Sequence, residues 1–125
     1  MTIQSLFLTF AGVAGVLIGL LASFRPGAVL AGKGVATDAA TSVWVREVGA
    51  NIIAASVLLL CVRNHPDSPS LRAILGANAL LHALMLPIEL RAYQRGTITK
   101  LAGIVPNSIL HAVFACAFGI LAFHR

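Results

Sequence analysis

Eight polar side chains interrupt stretches of sequence that are otherwise apolar: Arg46, Glu47 and Asn51, then Asn78, His82 and Glu89, then Asn107 and His111. Asn78, His82, Met85 and Glu89 follow at intervals of four, three and four, which places them on one face of a helix. Asn107, His111, Phe114 and Phe118 repeat that pattern, and Glu47, Asn51 and Ala54 make a shorter stripe. Carboxyl and imidazole groups facing a common space are the equipment of general acid/base catalysis. Glu47 or Glu89 is expected to supply a proton, and His82 or His111 to take one up. Asn51, Asn78 and Asn107 would orient them, Arg46 would neighbour the acid, and Trp44, Phe114 and Phe118 could steady a cationic intermediate.

The elements that carry these groups follow from composition. Of 125 residues, 58% are hydrophobic and only 10% are charged, against roughly a quarter charged in soluble chains. Such a chain cannot clothe a water-soluble core. Four stretches have the length of about 20 apolar residues that a helix needs to cross a bilayer: about 3–24, 43–62, 71–90 and 103–123. The expected fold is therefore all-α, a single domain forming an antiparallel up-and-down bundle of four transmembrane helices. No basic residue precedes the first apolar run and no small-residue cleavage site follows it, so that run reads as mature structure.

The links differ in length and character. Pro26-Gly27 should end the first helix, leaving 25–42 as a long loop along the headgroups. Ser70 is the expected N-cap of the third helix, and Pro106 marks a possible first turn of the fourth. Pro87 lies one turn after Ala83 and should bend the third helix beside the polar stripe.

The net charge of +5 comes from basic residues scattered singly, which excludes a nucleic-acid-binding stripe. Arg25, Lys33, Arg91, Arg95 and Lys100 fall on the side of the two long loops, against Arg63, Arg72 and Arg125 on the other. The positive-inside rule then places the loops in the cytoplasm and both termini outside. Cys61 and Cys116 form no CxxC, and no metal motif is present in the sequence.

Depth can be read from the spans. His82 lies nine residues before Arg91 and His111 eight after Gly103. At about 1.5 Å per residue both imidazoles sit about 12 to 14 Å inside the cytoplasmic edge. The second, third and fourth helices are thus expected to line a polar pocket open to the cytoplasm. A membrane-embedded isomerase, cyclase or lyase acting on a lipophilic small molecule fits that pocket, with no cofactor required.

Other readings use the same residues. His82 and His111 could be axial ligands of a b-type haem in an electron-transfer bundle. Glu47, His82 and Glu89 could form the relay of a small proton-coupled transporter. The polar groups could also serve only as interhelical glue in a structural subunit. Gly12, Gly15 and Gly19 argue for close packing of the first helix, against a neighbour in the same chain or in a homo-oligomer.

The segment Val45-Arg46-Glu47-Val48-Gly49-Ala50-Asn51, followed by an apolar helix, His82 and Glu89-Leu90-Arg91, resembles small four-helix bacterial membrane proteins of the loosely DoxX-like kind. The resemblance spans the second to fourth helices and implies the four-helix architecture, not a reaction. An acid and a His inside a helical membrane pocket are also similar in logic to integral membrane terpene cyclases and sterol isomerases, although no motif of either is present.

Overall fold

The computed structural model describes residues 2–124, so the terminal charge of Arg125 lies outside the described residues. Its elements are α1 (Ile3–Phe24), α2 (Pro26–Lys33), α3 (Ala39–Val62), α4 (Pro69–Gln94) and α5 (Leu101–Phe123). The fold is all-α. Four of the five helices are long and apolar enough to cross a membrane, as expected of a multi-pass membrane protein.

The spans begin and end where local chemistry dictates. Thr2 caps α1, its hydroxyl accepting from the Ser5 N–H at 3.1 Å. Phe24 ends that helix, and Pro26 then opens α2 where a continuous loop was expected. A proline lacks the N–H that a first helical turn leaves unused, so the residue that stops one helix is well suited to start the next. Asp38 and Thr41 form a reciprocal capping box, with Thr41 N–H to Asp38 Oδ1 at 2.8 Å and Asp38 N–H to Thr41 Oγ1 at 3.1 Å. That box starts α3 at Ala39, one turn before the expected Val43. In α4 the cap is Ser68, not Ser70: its hydroxyl accepts from the Leu71 N–H at 3.2 Å, and Pro69 occupies the first turn. Pro106 lies inside α5, which begins at Leu101.

The chain divides into two compact units, Met1–Ala31 with Ala36–His65, and Gly32–Val35 with Pro66–Arg125. In the first unit α1 packs antiparallel on α3. A Cβ added at Gly15 would stand 2.0 Å from Ser56 Oγ, and one at Gly19 would stand 2.6 Å from Ile53 Cγ1 and 2.8 Å from the Gly49 carbonyl oxygen. The glycines of α1 therefore admit the backbone of α3, the close approach that small residues permit where lipid supplies no hydrophobic drive. A homo-oligomer would have to use another face of α1. Ser5 Oγ donates to Asn64 Oδ1 at 2.8 Å and ties the start of α1 to the end of α3.

In the second unit α4 packs antiparallel on α5, around Leu71, Leu75, Phe114 and Phe118. The Gly32–Val35 segment is fastened to the entrance of α5. Lys33 O accepts from the Thr99 and Lys100 N–H groups at 3.1 and 3.3 Å, and Thr99 Oγ1 donates to Gly34 O at 2.9 Å. Gly34 has φ +69°, a left-handed conformation that favours glycine, and a Cβ at Gly103 would stand 2.4 Å from the Gly32 carbonyl oxygen.

Candidate functional site

The polar stripes of α4 and α5 face each other within the second unit. Both repeat at intervals of four and three, so in an antiparallel pair the residue near the middle of one stripe meets the residue near the middle of the other. His82 Nδ1 lies 2.7 Å from His111 Nδ1. One imidazole must donate its Nδ1 proton and the other must accept with its Nδ1 lone pair, so two neutral rings in this contact hold opposite tautomers. The ring centroids are 5.0 Å apart and tilted by 43°.

Two phenylalanines hold His82 in place. Its ring stacks on Phe118 at 5.7 Å with an 8° interplanar angle, and meets Phe114 edge-on at 5.1 Å and 87°. Phe118 is fully buried and Phe114 nearly so. Both were expected to contact a ligand; in the structure they contact His82 and each other, the latter at 5.9 Å. They fix the plane of the imidazole and so aim its Nδ1 at α5.

Two turns along α4, Glu89 is 6% exposed and accepts from two nitrogens at one oxygen. Lys33 Nζ pairs with Glu89 Oε1, and Asn107 Nδ2 donates to the same atom at 2.5 Å. Ser108 Oγ stands 3.5 Å from Oε2. A charged carboxylate inside an apolar pair of helices is tolerated only when it is paired and hydrogen-bonded. Asn107 precedes His111 by one turn of α5, so the ion pair and the imidazole pair occupy successive levels of one interface. Pro87 sits between the two levels on α4, where it removes the hydrogen bond that would reach the Ala83 carbonyl.

The remaining expected residues make neither of these contacts. Asn78 donates to the Ile74 carbonyl of its own helix at 2.9 Å and takes no part in either pair. Trp44, Arg46, Glu47 and Asn51 lie on α3, in the first unit, and all four are exposed. Among the described residues their side chains make no hydrogen bond or ion pair. Lys33 and Ser108 belong to the site and were not singled out from the sequence. The Gly32-Lys33-Gly34 triplet was the available signal, since flanking glycines let a lysine's backbone press close to a neighbouring helix.

Axial ligation of a haem would use His82 and His111 differently. Their Nδ1 atoms bond directly, leaving no room for iron on the line between them, so coordination would fall to the Nε2 atoms. Among the described residues no three His, Cys, Asp or Glu side chains gather as a metal site.

Compared with models of known protein families, with curated proteins and with solved structures, the chain matches none.

Proposed function

We propose that this is a membrane-embedded acid/base catalyst acting on a lipophilic small molecule, with the His82–His111 pair as its centre. The observation that carries the reading is the Nδ1 to Nδ1 contact at 2.7 Å. Two neutral imidazoles bonded in this way present a lone pair on the outer nitrogen of one ring and a proton on the outer nitrogen of the other. They are a base and an acid joined by a hydrogen bond.

The transfer balances without any cofactor. The free Nε2 of the donor ring takes a proton from a substrate carbon, and that ring's Nδ1 proton crosses to the Nδ1 of its partner. The partner releases its Nε2 proton to a second substrate atom. No net charge is created on the protein, which matters where an uncompensated charge costs several kcal/mol. Each ring ends in the other tautomer, and proton exchange with water restores the starting pair. Isomerisation, cyclisation and epoxide opening all need one proton delivered and another removed. Glu89 accepts from both Lys33 and Asn107, so the proton-donor role expected of a glutamate passes to an imidazole.

We place both termini outside on the charge bias of the loops, and the protein in a bacterial inner membrane on its resemblance to small bacterial membrane proteins. A reporter fused after residue 125 that proves cytoplasmic reverses the orientation.

The reaction is tested in D2O. Purified protein in lipid nanodiscs is incubated with the total lipid extract of the cells that express it, and the extract is read by mass spectrometry. The expected result is one lipophile that gains deuterium at carbon with the wild-type protein and not with His82→Gln or His111→Gln. If no lipophile gains more deuterium than it does without protein, the imidazole pair is a packing contact and the catalytic reading fails.

A further inference from the structure

The ion pair one level from the imidazoles is incompletely satisfied. Glu89 Oε1 is saturated by Lys33 and Asn107, while Oε2 has only Ser108 Oγ at 3.5 Å, the outer limit of a hydrogen bond. Among the described residues, Lys33 Nζ spends one of its three protons, on Glu89, and keeps a side chain that is 29% exposed. A donor and an acceptor with unused capacity therefore stand side by side, in a pair whose charges cancel.

We infer that the Lys33–Glu89 pair is a binding site for the hydroxyl group of an uncharged lipophile. A hydroxyl accepts from Lys33 Nζ with its oxygen and donates its proton to Glu89 Oε2, so a single group satisfies both unused partners. A ketone or ester accepts from Lys33 and leaves Oε2 unsatisfied. A fatty carboxylate is attracted by Lys33, repelled by Glu89, and must be stripped of water to enter. The order of preference is alcohol, then ketone, then carboxylate.

The position suits the rest of the interface. Asn107 and His111 are one turn apart on α5, about 6 Å, and Glu89 and His82 are seven residues apart on α4, about 10 Å. A hydroxyl held at Glu89 stands one level of the interface away from the imidazole pair. To that extent, as a statement about substrate, the inference rests on the acid/base reading. The binding itself does not.

The test uses three probes of matched chain length, 1-dodecanol, 2-dodecanone and dodecanoate, titrated into the full-length protein in nanodiscs. Binding is followed through the side-chain amide signals of Asn107 by nuclear magnetic resonance, which separates a specific site from partition into lipid. Dodecanol is expected to bind at least about tenfold more tightly than dodecanoate, because a site built to hydrogen-bond a hydroxyl leaves its polar groups unpaired with the wrong ligand. Glu89→Gln turns the Oε2 acceptor into an amide donor and is expected to shift the preference toward the ketone, with helix content unchanged by circular dichroism. Equal affinity for all three probes, or an order that Glu89→Gln leaves untouched, makes the ion pair a structural pin and overturns the inference. Deuterium transfer without alcohol selectivity would remove this site and keep the catalyst; selectivity without transfer would do the reverse.

Discussion

His82 and His111 meet through like atoms, Nδ1 to Nδ1 at 2.7 Å, and that contact obliges the two rings to differ. One imidazole in the pair carries its proton on Nδ1 and the other on Nε2. The 15N spectrum of histidine-labelled protein at neutral pH is expected to show one ring of each tautomer among its four histidines, linked by a coupling across the bond. His111→Ala leaves His82 Nδ1 without its partner beside two buried phenylalanine rings. The cost is expected to be about 1–3 kcal/mol, read from the midpoint of unfolding in mixed detergent micelles.

Lys33 and Glu89 are 56 residues apart in sequence and form one ion pair. Lys33→Met is expected to destabilise the fold strongly, because Glu89 remains buried without its cation. Removal of one partner from a buried pair costs about 3–5 kcal/mol, and the 29% exposure of Lys33 places this case at the lower end. Adding Glu89→Gln to Lys33→Met should recover most of the loss, since the neutral amide can still accept from Asn107. A double variant no more stable than Lys33→Met alone would show that Lys33 acts through its backbone clip to α5 and not through its charge.

The glycines of α1 should not be equivalent. Gly19→Ala drives a methyl group toward the Gly49 carbonyl oxygen at 2.8 Å, backbone that cannot rotate away. It is expected to cost about 1–3 kcal/mol, as overpacking does. Gly15→Ala meets the Ser56 hydroxyl, and a second substitution, Ser56→Ala, should restore part of its loss. Gly32→Ala, which meets nothing within 4 Å, serves as the unaffected control in the same unfolding series.

Asp38 reports the first turn of α3. The Thr41 backbone N–H bonded to its carboxylate, helped by the Thr41 hydroxyl and the Ala40 N–H, holds its pKa below the ordinary carboxylate value. A depressed folded-state value means that the cap contributes fully above the unfolded pKa and is lost as the pH falls through the folded one. Amide exchange at Thr41, corrected for its intrinsic pH dependence, should be slow at neutral pH and accelerate in acid, and Asp38→Ala should show the fast rate at every pH. Equal protection in the variant would mean that tertiary packing alone holds this turn.

The stripes on α4 and α5 and the four spans are legible in the sequence, because apolar length and helical periodicity are local properties of the chain. The first span, Ile3–Phe24, has the ends that its apolar run sets. Short-range detail was harder: α2 is only eight residues long and contains two glycines, and Pro26 served at once as a stop and a start. Which stripe meets which was not a local property. Periodicity put Glu47 and Asn51 on a face of α3 just as firmly as it put Glu89 and Asn107 on theirs. Only the last two form a hydrogen bond; Glu47 and Asn51 are exposed in the first unit. Lys33 shows the same limit most clearly. Its charge could be read as a membrane flank, but its partner is set by the backbone bonds of Lys33 to Thr99 and Lys100 and by the close approach of Gly32 to Gly103. Sequence determined which side chains would be too polar for lipid. Tertiary structure alone decided which of them relieve one another, because a buried charge or imidazole is satisfied by atoms at hydrogen-bond distance, and that distance is set by packing between helices remote in sequence.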